Sequence, residues 1–215
     1  MHALQQPLGQ PSPLSMAVLG DSLAYGLGAS TAESGLAHLL HAQLRAKRPA
    51  STLFTFAVPH STMGDVLRHQ VPRLRGMCAD VVLVIAGAND LRYTRDVLVI
   101  TRRFRHLLNS IHEAAPQAQL IAGGMPDVTQ TIAVPRLLKP PVQRLCERLN
   151  ERMRAIALGR GDGFLDMFAF TNAPLCEGAQ YLCDDGYHPN DFGYAEIAQR
   201  AYPAVEAAVE RLLSA

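Results

Sequence analysis

Five residues of this 215-residue chain have the types and spacing that acyl-transfer chemistry needs. Ser22 stands in Gly20-Asp21-Ser22-Leu23, directly after an apolar run at 16–19. His60 stands in Pro59-His60-Ser61-Thr62, and Asn89 in Gly87-Ala88-Asn89-Asp90, each after another apolar run. Asp185 and His188 are three apart in Asp185-Gly186-Tyr187-His188-Pro189, before the last amphipathic stretch. Singly, each has an ordinary explanation. A serine after a strand caps a helix, and Asn-Asp makes a turn. Jointly they supply a nucleophile, a base, a carboxylate to hold the tautomer of the base, and donors for an oxyanion.

Those residues matter only if the fold brings them together. Short apolar runs at 16–19, 53–58, 81–86, 120–123 and 164–166 predict five strands, bounded by Gly, Pro or Asp. Between them lie helical patterns. One covers 36–46. Val97, Ile100, Phe104, Leu107 and Ile111 mark a second. Val142, Leu145, Leu149, Met153 and Ile156 follow the helix-start signal Pro140-Pro141. Tyr194, Ile197, Ala201, Val205 and Leu212 make the last stripe, with Pro203 inside it as a candidate kink. Alternating strands and helices predict a parallel sheet covered on both faces, with sites beyond the carboxyl ends of its strands. Residues 1–14, rich in Pro and Gln, read as an irregular arm, and 15–215 as one domain.

Gly20-Asp21-Ser22-Leu23, Gly87-Ala88-Asn89-Asp90 and Asp185-Gly186-Tyr187-His188-Pro189 resemble three of the four sequence blocks of the SGNH, or GDSL, hydrolases, in the family order and over nearly the whole chain. Met125-Pro126-Asp127 also looks like family material. The resemblance implies a flavodoxin-like three-layer α/β/α sandwich with a five-stranded parallel sheet, and ester hydrolysis through an acyl-serine. It implies Ser22 as nucleophile, His188 as base and Asp185 as its orienting acid. The oxyanion hole would comprise the Ser22 N–H, the Asn89 side chain and a donor from the second block. That block normally carries a glycine where this chain has His60. Either the His60 N–H donates while its ring shapes the pocket, or the loop bends differently and two donors remain. Transfer of the acyl group to another acceptor, thioester cleavage, and binding without catalysis are the alternatives on the same scaffold.

Composition sets further bounds. With 20 basic and 19 acidic side chains the net charge is +1, so no basic excess points to nucleic acid. No apolar run approaches the roughly 20 residues of a bilayer span. The N-terminus lacks the basic start and apolar centre of a signal peptide, which favours the cytoplasm and free thiols. Cys176 and Cys183 are close enough in sequence to pair in an oxidising compartment. With Asp184 and His188 they also invite a zinc reading, but the spacing lacks a short knuckle and His188 already has a role, so no metal or cofactor is expected. Gly20, Gly26 and Gly28 match neither phosphate-loop pattern. Asp184 rivals Asp185 as partner of His188, and the spacing favours Asp185. Tyr25, Leu27, Leu91, Tyr93 and Tyr187 either line the cleft or pack its loops, and the loop at 126–141 is a candidate for substrate selection.

Overall fold

The computed structural model describes residues 13–175 and 179–214. Five parallel strands, β1 (Ser15–Gly20), β2 (Thr52–Thr55), β3 (Val81–Ile85), β4 (Gln119–Gly123) and β5 (Gly163–Leu165), form one sheet in the order β2-β1-β3-β4-β5. Among the described residues the α-helices are α1 (Ser22–Tyr25), α2 (Leu36–Lys47), α3 (Met63–Asp65), α4 (Val97–Ala114), α5 (Lys139–Leu158), α6 (Met167–Leu175) and α7 (Asp191–Ser214). The result is a three-layer α/β/α sandwich.

The period-2 geometry of a strand sorts its side chains onto two faces. Ala17, Leu19, Val82, Val84, Leu120 and Ala122 pack with Phe104 and Leu107 of α4 and Leu149 and Met153 of α5. Met16, Val18, Leu83, Ile85 and Ile121 pack on the other face with Leu40 of α2 and Tyr194, Ile197 and Val205 of α7. The central strand β3 is buried at every residue, which explains its unbroken Val-Val-Leu-Val-Ile.

The strand order turns back between β1 and β3. Loops leaving their carboxyl ends diverge there and open a crevice, the usual ligand position in such sheets. Ser22 and Asn89 come from those two loops.

Several boundaries depart from the sequence expectation. The second strand is assigned only over Thr52–Thr55, as a largely exposed edge strand, although the N–H groups of Phe56 and Val58 still donate to Val18 and Gly20 of β1. The fifth begins one residue early, at Gly163. Helices α1 and α6 are additional to the helices expected, and α3 is a single short turn around Gly64. Helix α5 starts at Lys139 with proline in its first turn, where a missing N–H costs nothing. Helix α7 continues through Pro203. At the start of the described chain Leu14 is buried in the core and its carbonyl accepts from Thr52. Most of the expected arm, residues 1–12, lies outside the described residues.

Candidate active site

The turn that presents Ser22 depends on a glycine. Gly20 has φ +139°, and a Cβ there would lie 1.9 Å from the Ile85 carbonyl oxygen. Only glycine lets the end of β1 cross β3 this closely. Asp21 then caps α1, accepting from the Leu23 N–H at 3.1 Å, and Ser22 opens the helix, buried at 7% exposure. Burial, aided by the nearby Asp90 charge and opposed by the Leu23 N–H, pushes the Asp21 carboxyl up to about 7.

The second loop settles the conformation of His60. The Ser61 N–H donates to the Val58 carbonyl at 3.3 Å, Pro59 follows Val58, and His60 has φ +67°. That fits a type II turn, whose third position favours glycine. This chain has a histidine there, exposed and in the left-handed region. Two buried side chains hold the turn. Gln70 spans Gly20, accepting from its N–H at 2.7 Å and donating to its carbonyl at 2.9 Å, and reaches Ser61 Oγ at 3.3 Å. Asn89 donates through Nδ2 to the Ser61 carbonyl at 3.2 Å.

His188 is pinned by Asp185. Oδ2 of Asp185 lies 2.6 Å from His188 Nδ1. Oδ1 accepts the main-chain N–H groups of Tyr187 at 2.7 Å and His188 at 2.9 Å, and the Cys183 thiol at 3.1 Å. One oxygen thus shapes the turn while the other orients the ring. Partial burial pushes this carboxyl up, but the hydrogen bonds from His188, Cys183 and Tyr187 outweigh it and hold it well below the usual carboxylate range. Asp184 points to solvent. His188 Nε2 is buried and has no hydrogen-bond partner among the described residues. The Tyr187 ring stands edge-on to the imidazole, centroids 4.7 Å apart.

Ser22, His60, Asn89, Asp185 and His188 all border one open groove of about 630 Å³. The geometry is that of a base with one nitrogen fixed and the other available, beside a buried hydroxyl. The N–H groups of Ser22 and His60 have no acceptor among the described residues, which leaves two main-chain donors beside the Asn89 amide.

Residues 18–196 match the GDSL-like lipase/acylhydrolase family. The chain belongs to that family. It is thereby an enzyme of the carboxylic ester hydrolase class. Solved structures share its fold at low identity. The crystal structure of TesA matches with TM-score 0.72 at 18% identity, covering 90% of this chain and 99% of that one. The esterase EstA from Pseudoalteromonas sp., inhibited by monoethylphosphonate, matches with TM-score 0.71 at 20% identity, covering 91% and 98%. An extracellular lipase from Streptomyces rimosus matches with TM-score 0.66 at 21% identity, covering 91% and 99%. The search of curated proteins finds no match.

In this acylhydrolase-family chain, Leu91 and Tyr187 of the five suggested liners border the groove. Tyr25 is exposed, the Leu27 carbonyl accepts from Tyr194 Oη at 2.7 Å, and Tyr93 borders a separate cavity with Arg68 and His106. The loop at 126–141 contributes Val128, Ile132, Ala133 and Val134. Asp127 anchors this loop, accepting from Thr129, Gln130, Gln143 and Asn172.

Sequence reasoning missed Gln70, which sits on a π-helical turn at Val66–Gln70. No motif announces it. It also missed Asp90, wholly buried, which accepts from the Met63 N–H and from Arg103, each at 2.9 Å, and ties the third loop to α3 and α4. Gly28 offered a weak signal: with φ +100°, a Cβ there would lie 2.6 Å from the Pro189 carbonyl oxygen and 2.9 Å from His188 Cβ. Cys176 lies outside the described residues. Cys183 carries a free thiol, and among the described residues no group of three His, Cys, Asp or Glu could hold a metal ion. No helix among them is long and apolar enough to cross a membrane.

Proposed function

We propose that this enzyme is a serine esterase acting on small-molecule carboxylic esters through an acyl-serine intermediate. One observation carries the reading: the His188 ring is fixed by Asp185 through Nδ1, while its buried Nε2 is unpartnered beside the groove that Ser22 and Asn89 border. In this mechanism Ser22 Oγ attacks the ester carbonyl as Nε2 takes its proton. The oxyanion accepts from the Ser22 and His60 N–H groups and from Asn89 Nδ2. His188 then protonates the leaving alcohol and activates water to release the acid. Asp185, kept ionised by its hydrogen bonds, stabilises the imidazolium. Residues 15–215 act as one catalytic domain without a cofactor. The cytoplasm is the proposed compartment, a reading that the free thiols of Cys78, Cys146 and Cys183 support.

The test is hydrolysis of p-nitrophenyl esters of graded chain length by wild type and Ser22→Ala. Wild-type turnover with a loss of at least about 10³-fold in the variant is expected. Activity surviving in the variant overturns the mechanism.

A further inference from the structure

The groove lining is of two chemical kinds. Val128, Ile132, Val134, Val142 and Leu145 make an apolar part. Arg92 and Arg95 make a cationic part. Neither guanidinium has a hydrogen-bond or ion-pair partner among the described residues. Arg68, Arg103, Arg154, Arg160 and Arg200 pair with carboxylates, but other arginines among the described residues do not, so what distinguishes Arg92 and Arg95 is that they border the groove that Ser22 and His188 also border. The acids closest in sequence to Arg92 and Arg95 are committed to other partners. Asp90 serves Met63 and Arg103, and Asp96 caps α4 through the Leu98 and Val99 N–H groups. Among the described residues the single carboxylate bordering the groove is Asp185, which His188 occupies. Among them, therefore, two cations border the groove without a countercharge.

Their position relative to the site follows from local geometry. Asn89 and Arg92 lie on one 3₁₀ turn, Ala88–Arg92. Residues three apart on such a turn project on the same side, about 6 Å apart along the axis. Arg92 and Tyr187 border the same groove, and the Tyr187 ring stands edge-on to His188. Arg92 thus borders the groove beside Asn89, and a leaving alcohol must sit near His188 of that groove to receive its proton.

From the unpaired Arg92 and Arg95 and the apolar residues that border the same groove, we propose that the substrate is an ester of an apolar acid with an alcohol that carries an anionic group. The acyl chain lies along Val128, Ile132 and Leu145, and the anion of the alcohol meets the two guanidinium groups. This rests on the esterase reading and adds the substrate class to it. A bidentate fork suits carboxylate and phosphate alike.

The experiment compares kcat/KM for 4-carboxyphenyl butyrate, which is anionic, with that for 4-carbamoylphenyl butyrate, its neutral match. The charged-to-neutral ratio is expected to fall about five- to tenfold from wild type to Arg92→Gln/Arg95→Gln, and further in Arg92→Glu/Arg95→Glu. In wild type it should shrink as salt rises to about 0.5 M, where the Debye length falls to about 4 Å. An identical ratio in wild type and both variants overturns the proposal while leaving the esterase reading intact. Arginine-dependent preference for p-nitrophenyl hydrogen glutarate over p-nitrophenyl butyrate would instead put the charge on the acid half, and overturns the assigned orientation. Wild type without Ser22-dependent hydrolysis of the neutral ester overturns the esterase reading, and this proposal with it.

Discussion

By the sequence resemblance, His60 stands where the family's second block carries a glycine, and the structure turns that difference into an energetic statement. A left-handed backbone costs a residue with a Cβ on the order of 1 kcal/mol, because Cβ crowds the carbonyl oxygen. The turn keeps that conformation because Pro59 presets its second position and because Gln70 and Asn89 hold Ser61 from two sides. His60→Gly is therefore expected to raise stability by about 1 kcal/mol in urea unfolding, and to keep or raise turnover of p-nitrophenyl butyrate. The N–H remains and the imidazole over the groove is removed. A collapse of activity comparable to that of Ser22→Ala would instead make the ring itself part of the chemistry. Whether the position needs φ > 0 was conditional in the sequence. Pro59-His60 is compatible with several turns, and only the folded backbone, with φ +67° at His60 inside the closed Val58–Ser61 hydrogen bond, selects one.

Among the elements, the strands and long helices were legible because burial imposes a period. Met16 and Val18 face α2 and α7 while Ala17 and Leu19 face α4 and α5, and the helices of both layers carry stripes at three and four. Short elements escape such reading. Helices α1 and α3 contain fewer residues than one apolar repeat needs, and their starts are set by the caps Asp21 and Thr62. The π-turn that aims Gln70 at Gly20 carries no periodic signature at all. Its side chain replaces ladder hydrogen bonds at the end of β1 and couples that end to the turn bearing His60. Gln70→Ala leaves the buried Gly20 N–H without its acceptor and is expected to cost about 3 kcal/mol in urea unfolding. It should also lower kcat on p-nitrophenyl butyrate more than it changes KM, since the donors lose their alignment while the groove walls stay. Full retention of both values would mean that the link is dispensable.

For the molecule as a whole, the buried Asp21 carboxyl beside Ser22 makes stability depend on pH. Unfolded, it ionises near pH 4; folded, near 7. Between those values the folded chain keeps a proton that the unfolded chain has released. The favourable contribution is complete below about pH 4 and is lost as pH rises through 7. Asp21→Asn retains an acceptor for the Leu23 N–H but cannot ionise. Wild type is thus expected to lose a few kcal/mol relative to Asp21→Asn between pH 4.5 and 8, read from urea midpoints at each pH. A constant difference across that range would mean that Asp21 ionises in the folded protein as it does in water. The sequence by itself determined the layer architecture, since apolar periodicity is a local consequence of burial. It also singled out Ser22, Asn89, Asp185 and His188 as candidates, since motif blocks hold side-chain chemistry at short spacing. What only the tertiary structure decided lies between blocks: the strained turn at His60, the Gln70 link across 50 residues, the burial of Asp21, and the unpaired Arg92 and Arg95 in one groove with apolar residues. Each depends on which distant side chains and carbonyl groups share a small volume, and a one-dimensional pattern does not carry that information.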